Sequence, residues 1–414
     1  MFGLRFPVEK KAFLVITVIS VITLMLIVDV SERHLTIIGK QCERHENNSN
    51  QLCGNCVWSR HFKTRTVLYD GGRELQIENL ANITVLSENQ CKYKKFLVYK
   101  CDSSMLCGGL ADRQKGIIST FLLALLTNRK FIIDMTSPCA LEEFLVPNVY
   151  NWNVCKTFLK TIPNEEISKL NYVQNYKFLN GVNKFDFDSN WTKDAIILRL
   201  NGYAINEIRQ HIDAKTRLEW LLNLTNEVVI HIVLNTLFKP GKRLLNDAIN
   251  LYDNHIKGRS LVCSHIRKGK NPTIPTDNIL RFGPPNETVV FDFLKTLDKK
   301  ETNAIYIAAD SEEVKKSAKS NLAAYINIKR TIVHIDRLGE FKKLKTEACD
   351  GFYTAIFEQF ILSLCDKMVL TRSGFGTIAA YMRGVSEGLF LYHPKLKQIV
   401  ETNLTNIQTV FKFL

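Results

Sequence analysis

Short apolar runs alternate with segments of helical period over most of the chain, and this alternation constrains the fold more than any other feature. The runs that predict strands are 95–99, 131–133, 195–200, 261–266, 304–309, 331–335, 368–370 and 389–392. The segments that predict helices are 114–127, 218–238, 289–297, 312–319, 352–364 and 377–383. Strands that alternate with helices form parallel sheets covered by helices. The pattern therefore predicts an α/β protein with doubly wound sheets, except over 155–190, which we cannot interpret.

The length of the chain predicts two domains. It has 414 residues, of which 46% are hydrophobic, whereas a single core stops growing at about 250–300 residues. We place the two domains at 94–250 and 251–414.

The net charge of the chain is +14, from 55 Lys and Arg against 41 Asp and Glu. The basic residues are scattered, which fits a solvated basic surface, a preference for anionic small molecules or an acidic luminal surface. No motif indicates nucleic acid binding.

An uncharged run at 12–28 follows Arg5, Lys10 and Lys11. As a helix it spans ~25 Å, enough for the thinner membranes of the early secretory pathway. A cleaved signal peptide is the alternative, but 29–33 offers no small-x-small cleavage site. We predict an uncleaved anchor with a cytosolic tail at 1–11 and a luminal stem at 29–93. The protein would then be a single-pass type II protein of the Golgi or endoplasmic reticulum membrane.

Glycosylation sequons and cysteines fit a luminal chain. The sequons begin at Asn47, Asn82, Asn190, Asn223, Asn286 and Asn403. Eight of the eleven cysteines precede residue 156, which predicts disulfides in the N-terminal half. Cys53 and Cys56 could instead suggest zinc or redox chemistry, but no second pair stands at ligand spacing. Because eleven is odd, at least one thiol should be free, and Cys263 in its apolar strand is the candidate.

Three predicted strand ends carry the residues of most interest. They are 265–269, 309–311 and 373–376, and parallel sheets bind their ligands at the carboxyl ends of strands. The last is a strand, a tight turn with two glycines and a new helix, whose N–H groups and dipole favour an anion. Read alone, this turn fits an ordinary strand-to-helix connection better than a ligand site.

Four segments, in this order, resemble motifs of the fucosyltransferase superfamily, which includes α1,2-, α1,6- and protein O-fucosyltransferases. Gly108-Gly-Leu-Ala-Asp-Arg113 with its following helix resembles the first glycine loop of plant α1,2 enzymes. His265-Ile-Arg267-Lys-Gly269 is similar to the family's His-x-Arg-x-Gly-Asp motif, and 306–311 to its second, strand-ending motif. The segment 373–381 is similar to the third, and the resemblance covers about residues 95–395.

The resemblance implies a GT-B-like fold of two Rossmann-type domains, with the acceptor side in 94–250 and the GDP-sugar site in 251–414. It implies GDP-fucose as donor and no metal or other cofactor. Arg267 would be the catalytic residue that holds the donor pyrophosphate, and His265 would lie near the nucleoside. The other implied donor-binding residues are Asp310, Glu358, Ser373, Gly374, Phe375 and Gly376, and the implied acceptor-side loop contains Gly108, Gly109 and Arg113.

The function implied is transfer of fucose to a glycan or glycoprotein hydroxyl with inversion, most closely α1,2 to galactose. An α1,6- or protein O-fucosyltransferase, a Golgi sulfotransferase and an inactive glycan-binding relative are the alternatives. Inversion requires a base for the acceptor hydroxyl, and Asp112, Asp277 and Glu287 are the candidates. Lys270 stands where the motif normally ends in Asp. Any role of that Asp in the family, and with it full activity, is therefore in doubt for this chain.

Plainer interpretations exist for several of these residues. His265 could be a satisfied strand-end histidine, Asp310 a helix cap, and Arg113 a surface ion-pair partner. Asp186-Phe-Asp188 spells the Asp-x-Asp of metal-dependent glycosyltransferases, but no apolar strand precedes it, so we interpret it as a loop and expect no metal.

Overall fold

The computed structural model describes residues 68–70, 73–75, 91, 95–104, 106–269, 285–330, 332–333, 335 and 345–411. The predicted tail 1–11, the anchor 12–28, most of the stem 29–93, Lys270 and Asp277 lie outside the described residues. No helix within the described ranges combines the length and apolar character needed to cross a membrane.

The first large sheet is built from four parallel strands in the N-terminal half. They are β3 Phe96–Cys101, β4 Lys130–Met135, β6 Ile167–Asn171 and β7 Ala195–Arg199. Their order across the sheet is β4-β3-β7-β6. Helix α1, Leu110–Leu126, connects β3 to β4 and is buried along most of its length. This is the βαβ unit that the sequence predicts.

The second large sheet contains five strands from the C-terminal half. They are β9 Ser260–Ile266, β10 Asn303–Ala309, β11 Lys367–Leu370, β12 Leu389–His393 and β13 Gln398–Glu401. Their order is β10-β9-β11-β12-β13, parallel except for the antiparallel edge strand β13. The α/β class and its parallel sheets are thereby confirmed.

Short strands and helices complete the described residues. The strands are β1 Leu68–Asp70 with β2 Arg73–Leu75, and β5 Leu145–Pro147 with β8 Phe238–Pro240. The helices are α2 Tyr176–Gly181, α3 Phe187–Asn190, α4 Ile205–Gln210, α5 Ala214–Arg217, α6 Glu219–Leu222, α7 Asn226–Leu237, α8 Lys242–Leu251, α9 Glu287–Thr296, α10 Glu312–Asn321, α11 Lys345–Ser363, α12 Gly374–Arg383 and α13 Ile407–Phe411. Single 3-10 or π-helical turns occur at Leu141–Glu143, Phe158–Thr161, Asn164–Glu166, Val182–Lys184 and Tyr252–Ile256.

Two element predictions differ from the structure. The helix predicted at 218–238 is broken into α6 and α7, because Thr225 adopts extended backbone before Asn226. No strand forms at residues 332, 333 and 335, the described part of 331–335. Instead, Tyr325 makes an isolated parallel bridge to Ile305 in β10, so the chain returns to the sheet earlier than its apolar run suggests.

Four disulfides are present among the described residues. Cys91–Cys155 and Cys101–Cys107 lie in the N-terminal half, as predicted. Cys139–Cys349 joins the two halves of the chain across 210 residues of sequence. The prediction that Cys263 is a free thiol is wrong, because Cys263 is bonded to Cys365. These two cysteines are adjacent in space because β11 runs parallel to β9.

Candidate functional site

The carboxyl ends of β9 and β11 meet because the two strands are neighbours in the second sheet. The Thr371 N–H donates to the His265 carbonyl at 3.0 Å, and the Thr371 hydroxyl accepts the Arg267 N–H at 2.8 Å. These bonds hold the segment after β9 beside the segment that enters the turn at 373–376. Two of the three predicted strand ends therefore form one site.

Asp310 brings the third strand end into the same site. It follows β10, the neighbour of β9 on the other side. Its carboxylate accepts from Nη1 of Arg267 at 2.6 Å and from the N–H groups of Lys268 at 2.7 Å and Gly269 at 2.6 Å. Hydrogen bonds to a charged acceptor are stronger than neutral ones. Asp310 thus fixes both the guanidinium and the loop that carries it.

Asp310 does not cap the following helix, which was its plainer interpretation. The N-cap position of α10 is Ser311, and its side chain makes no capping bond. The structure therefore gives Asp310 a place in the site through Arg267. Nothing in the sequence motif distinguishes this role from direct contact with a ligand.

The turn at 373–376 opens helix α12 earlier than the sequence predicts, at Gly374. Ser373 is the N-cap, and its hydroxyl accepts the Phe375 N–H at 3.2 Å. The N–H groups of Gly374 and Gly376 have no acceptor inside the helix, because a first-turn N–H has no helical carbonyl four residues before it. They and the helix dipole give this end of α12 a positive potential.

His265 is buried directly beneath the turn, with 5% of its surface exposed. Its ring lies 5.0 Å from the ring of Phe375, measured between centroids. A Cβ on Gly376 would lie 2.9 Å from Nδ1 of His265, so only glycine fits there without displacing the ring. Among the described residues Nδ1 has no hydrogen-bond partner. The satisfied strand-end histidine is therefore not what the structure shows.

Burial lowers the pKa of His265 to about 3, and the nearby positive charge of Arg267 contributes a smaller part of this shift. The unfolded chain takes up a proton near pH 6.5 while the folded chain does not. The stability from neutral His265 is therefore lost as pH falls below about 6.5, and about 2 kcal/mol should disappear between pH 7 and pH 5. Urea unfolding of the parent and of His265→Gln should show their stability gap narrowing by that amount at pH 5. A gap that is equal at both pH values would contradict the neutral buried ring.

Glu358 lies on α11, where the resemblance expects an acidic residue that grips the nucleoside. It is buried and ion-paired with Lys315 of α10 at 3.1 Å. Burial raises the pKa of the Glu358 carboxyl, and the Lys315 ammonium partly offsets this. Lys315 was not predicted from the sequence, because its spacing in α10 is that of any solvated lysine.

The predicted acceptor-side loop contains Gly108, Gly109 and Arg113. Gly108 has φ 86°, a left-handed conformation that favours glycine, whereas Gly109 is extended and has open space where a Cβ would be. Arg113 is not a surface ion-pair partner: it is 1% exposed. It donates to the carbonyls of Gly108 at 2.8 Å, Ile335 at 3.1 Å and Ser137. Arg113 thus ties the glycine loop to the C-terminal half.

The base candidates occupy different surroundings. Asp112 is in the first turn of α1 and pairs with Lys115 at 3.0 Å. Glu287 begins α9 and pairs with Lys268 at 2.8 Å, whereas Asp277 lies outside the described residues. All three stay predictions.

The Asp-x-Asp segment, which we interpreted as a loop, begins a single helical turn. Asp186 caps the single turn α3, where its carboxylate accepts from the N–H and hydroxyl of Ser189. These bonds lower the pKa of Asp186. A further group with metal-ligating atoms, Cys139, Glu143 and Cys349, contains two sulfurs that are joined as a disulfide.

No protein-family model matches the chain, and no curated protein sequence matches it. Solved structures do resemble it. FUT1 from Arabidopsis thaliana in complex with GDP is 15% identical, with a TM-score of 0.48 over 85% of this chain and 81% of that chain. The fucosyltransferase NodZ from Bradyrhizobium is 12% identical, with a TM-score of 0.45 over 75% of this chain and 99% of that chain. POFUT1 in complex with GDP is 12% identical, with a TM-score of 0.39 over 70% of this chain and 95% of that chain.

These structural neighbours are fucosyltransferases.

Proposed function

We propose that this protein is a glycosyltransferase that transfers fucose from GDP-fucose to a glycan hydroxyl with inversion. The observation that carries the proposal is the fixed Arg267 guanidinium at the carboxyl edge of the second sheet, the edge at which the N-terminal turn of α12 also lies. Asp310 holds the guanidinium from one side, and the segment after β9 is bonded to Thr371 just before the turn. Both groups offer positive charge to a diphosphate.

The chemistry of these groups suits departure of GDP. Arginine offers a planar fork of donors to paired phosphate oxygens and does not lose its charge. It would therefore stabilise the negative charge that grows on GDP as the bond to fucose breaks. The first-turn N–H groups of α12 would contact the same phosphates. The Glu358 carboxylate, which is paired with Lys315, would also accept a hydrogen bond from the nucleoside base.

A donor panel tests the proposal. Release of nucleotide from GDP-fucose, GDP-mannose, UDP-galactose and a phosphosulfate donor should be measured with a mixed glycan acceptor panel. Turnover confined to GDP-fucose is the expected result. Turnover of the phosphosulfate donor would support the sulfotransferase alternative, and GDP binding without turnover would support an inactive glycan-binding relative.

Our finer proposal for the linkage is α1,2 to galactose, in a GT-B arrangement with domains at 94–250 and 251–414. It is supported by the similarity of 108–113 and 373–381 to α1,2 enzymes. An α1,6- or a protein O-linkage would appear in the same acceptor panel as a different product. Linkage analysis of the fucosylated product decides among the three.

The positive charge of Arg267 and of the α12 turn should make a divalent cation dispensable for binding GDP. We therefore expect activity to survive EDTA. Complete loss on chelation, restored by Mn²⁺, would contradict this and direct attention to Asp186 and Asp188.

We also propose the Golgi or endoplasmic reticulum membrane as the location, with residues 29–414 luminal. The supporting features are the basic flank before 12–28, the sequons and the disulfides. Endoglycosidase treatment should increase gel mobility. A C-terminus that cytosolic protease can reach would contradict the topology.

A further inference from the structure

The first turn of α1, from the N-terminal half, packs against the first residue of α12. A Cβ on Gly374 would lie 3.4 Å from Cβ of Ala111 and 3.6 Å from Nζ of Lys115. The Lys115 ammonium therefore lies beside the turn that we assign to the donor diphosphate. In the sequence, Lys115 is one of many scattered lysines and carries no motif of its own.

Buried hydrogen bonds hold this part of α1 in place. Gln114, next to Lys115, exchanges side-chain hydrogen bonds of 2.6 and 3.0 Å with Gln359 of α11. The Gln359 amide also donates to the Phe375 carbonyl in the turn at 3.3 Å. The position of Lys115 relative to the turn is thus set by its buried neighbour.

An ammonium beside a helix N-terminus places like charges together, because the first turn of α12 already has a positive potential. Asp112 pairs with Lys115 at 3.0 Å, but its side chain is 43% exposed. Ion pairs this exposed contribute little. An anion between Lys115 and the turn would relieve the repulsion. A second observation points to a ligand at this turn: the buried Nδ1 of His265 has no partner among the described residues and lies 2.9 Å from the place that a Cβ on Gly376 would take.

We propose that Lys115 binds the donor diphosphate, so that both halves of the chain contact the same phosphate group. This inference rests on the proposed function, because it takes GDP to be the nucleotide. Arg267 and the α12 turn approach the diphosphate from the C-terminal half, and Lys115 approaches from the N-terminal half. Binding of the donor then holds α1 and α12 together. The Lys115 ammonium would leave its ion pair with Asp112 to contact the diphosphate.

The test measures GDP and guanosine binding by calorimetry to the parent protein, Lys115→Gln and Lys115→Arg. Loss of one charged hydrogen bond should weaken GDP binding about ten- to hundredfold in Lys115→Gln. Lys115→Arg should stay within about threefold of the parent. Guanosine, which has no phosphate, should bind all three equally.

Lys295→Gln is the matched control, because Lys295 forms the same kind of i,i+3 pair, with Asp292 of α9 at 3.2 Å. It removes the same charge and should leave GDP binding unchanged. If Lys115→Gln binds GDP as tightly as Lys295→Gln does, the inference is overturned while the proposed function stands. Equal weakening of guanosine would also overturn it, by showing a structural effect. If the parent does not bind GDP at all, the proposed function fails and the inference with it.

Discussion

Replacing Arg267 by lysine is expected to lower turnover of GDP-fucose about a hundred- to a thousandfold. Lysine keeps the positive charge but loses the rigid fork that can engage two phosphate oxygens. Loss of one such donor at a developing charge typically costs about 3–4 kcal/mol in the transition state. The fold should be little affected, because a lysine ammonium can still pair with Asp310 and little apolar area is removed.

Arg259→Lys is the matched control for this prediction. Arg259 precedes the other end of β9, where its guanidinium donates to the carbonyls of Lys300 and Asn303. Donor turnover and thermal unfolding should be measured on both variants. Near-normal turnover of Arg267→Lys would remove Arg267 from the mechanism. A large fall in its melting temperature would instead identify a structural residue.

Asp310→Ala is expected to lower both stability and turnover. The substitution leaves the Arg267 guanidinium and the N–H groups of Lys268 and Gly269 without their shared acceptor. Removing one partner of a largely buried ion pair costs about 3 kcal/mol or more. Turnover should fall at least as far as in Arg267→Lys, because Asp310 no longer positions the Arg267 guanidinium or the loop that carries it.

Asp298→Ala separates the two effects of Asp310→Ala. Asp298 also accepts two backbone N–H groups, those of Ala323 and Ala324, but it holds no arginine. We expect this control to lose stability and keep its turnover per folded molecule. If Asp310→Ala behaves like Asp298→Ala in both measurements, then Asp310 only stabilises the fold and does not position Arg267.

The sequence predicted β9, β10, β11 and β12 well because each is a short, almost continuous apolar run that is largely buried. It did not predict the edge strand β13, whose residues are exposed or only partly buried. From parallel strands in one sheet it follows that their carboxyl ends meet, so 265–269, 309–311 and 373–376 could be assigned to one site. The structure brings these three segments together through Asp310 and Thr371. The role of Asp310, however, depends on a bond across strands that no local pattern contains.

Contacts between distant parts of the chain were the ones that sequence reasoning missed. Cys263 was assigned as free because it lies in an apolar strand, yet the neighbouring strand places Cys365 beside it. The plainer interpretation of Arg113, a surface ion-pair partner, fails because distant parts of the chain supply the carbonyls of Ser137 and Ile335. The ion pair of Lys315 likewise depends on a distant residue, Glu358 of α11. In each case the partner is far along the chain, and a periodic pattern carries no information about it.

We propose above all that the donor diphosphate binds between Arg267 and the N-terminal turn of α12. A crystal structure of the full chain with GDP bound tests it most directly. We expect the phosphate oxygens within hydrogen-bond distance of the Arg267 guanidinium and of N–H groups at Gly374–Gly376. A diphosphate bound elsewhere, without contact to the Arg267 guanidinium, would contradict this.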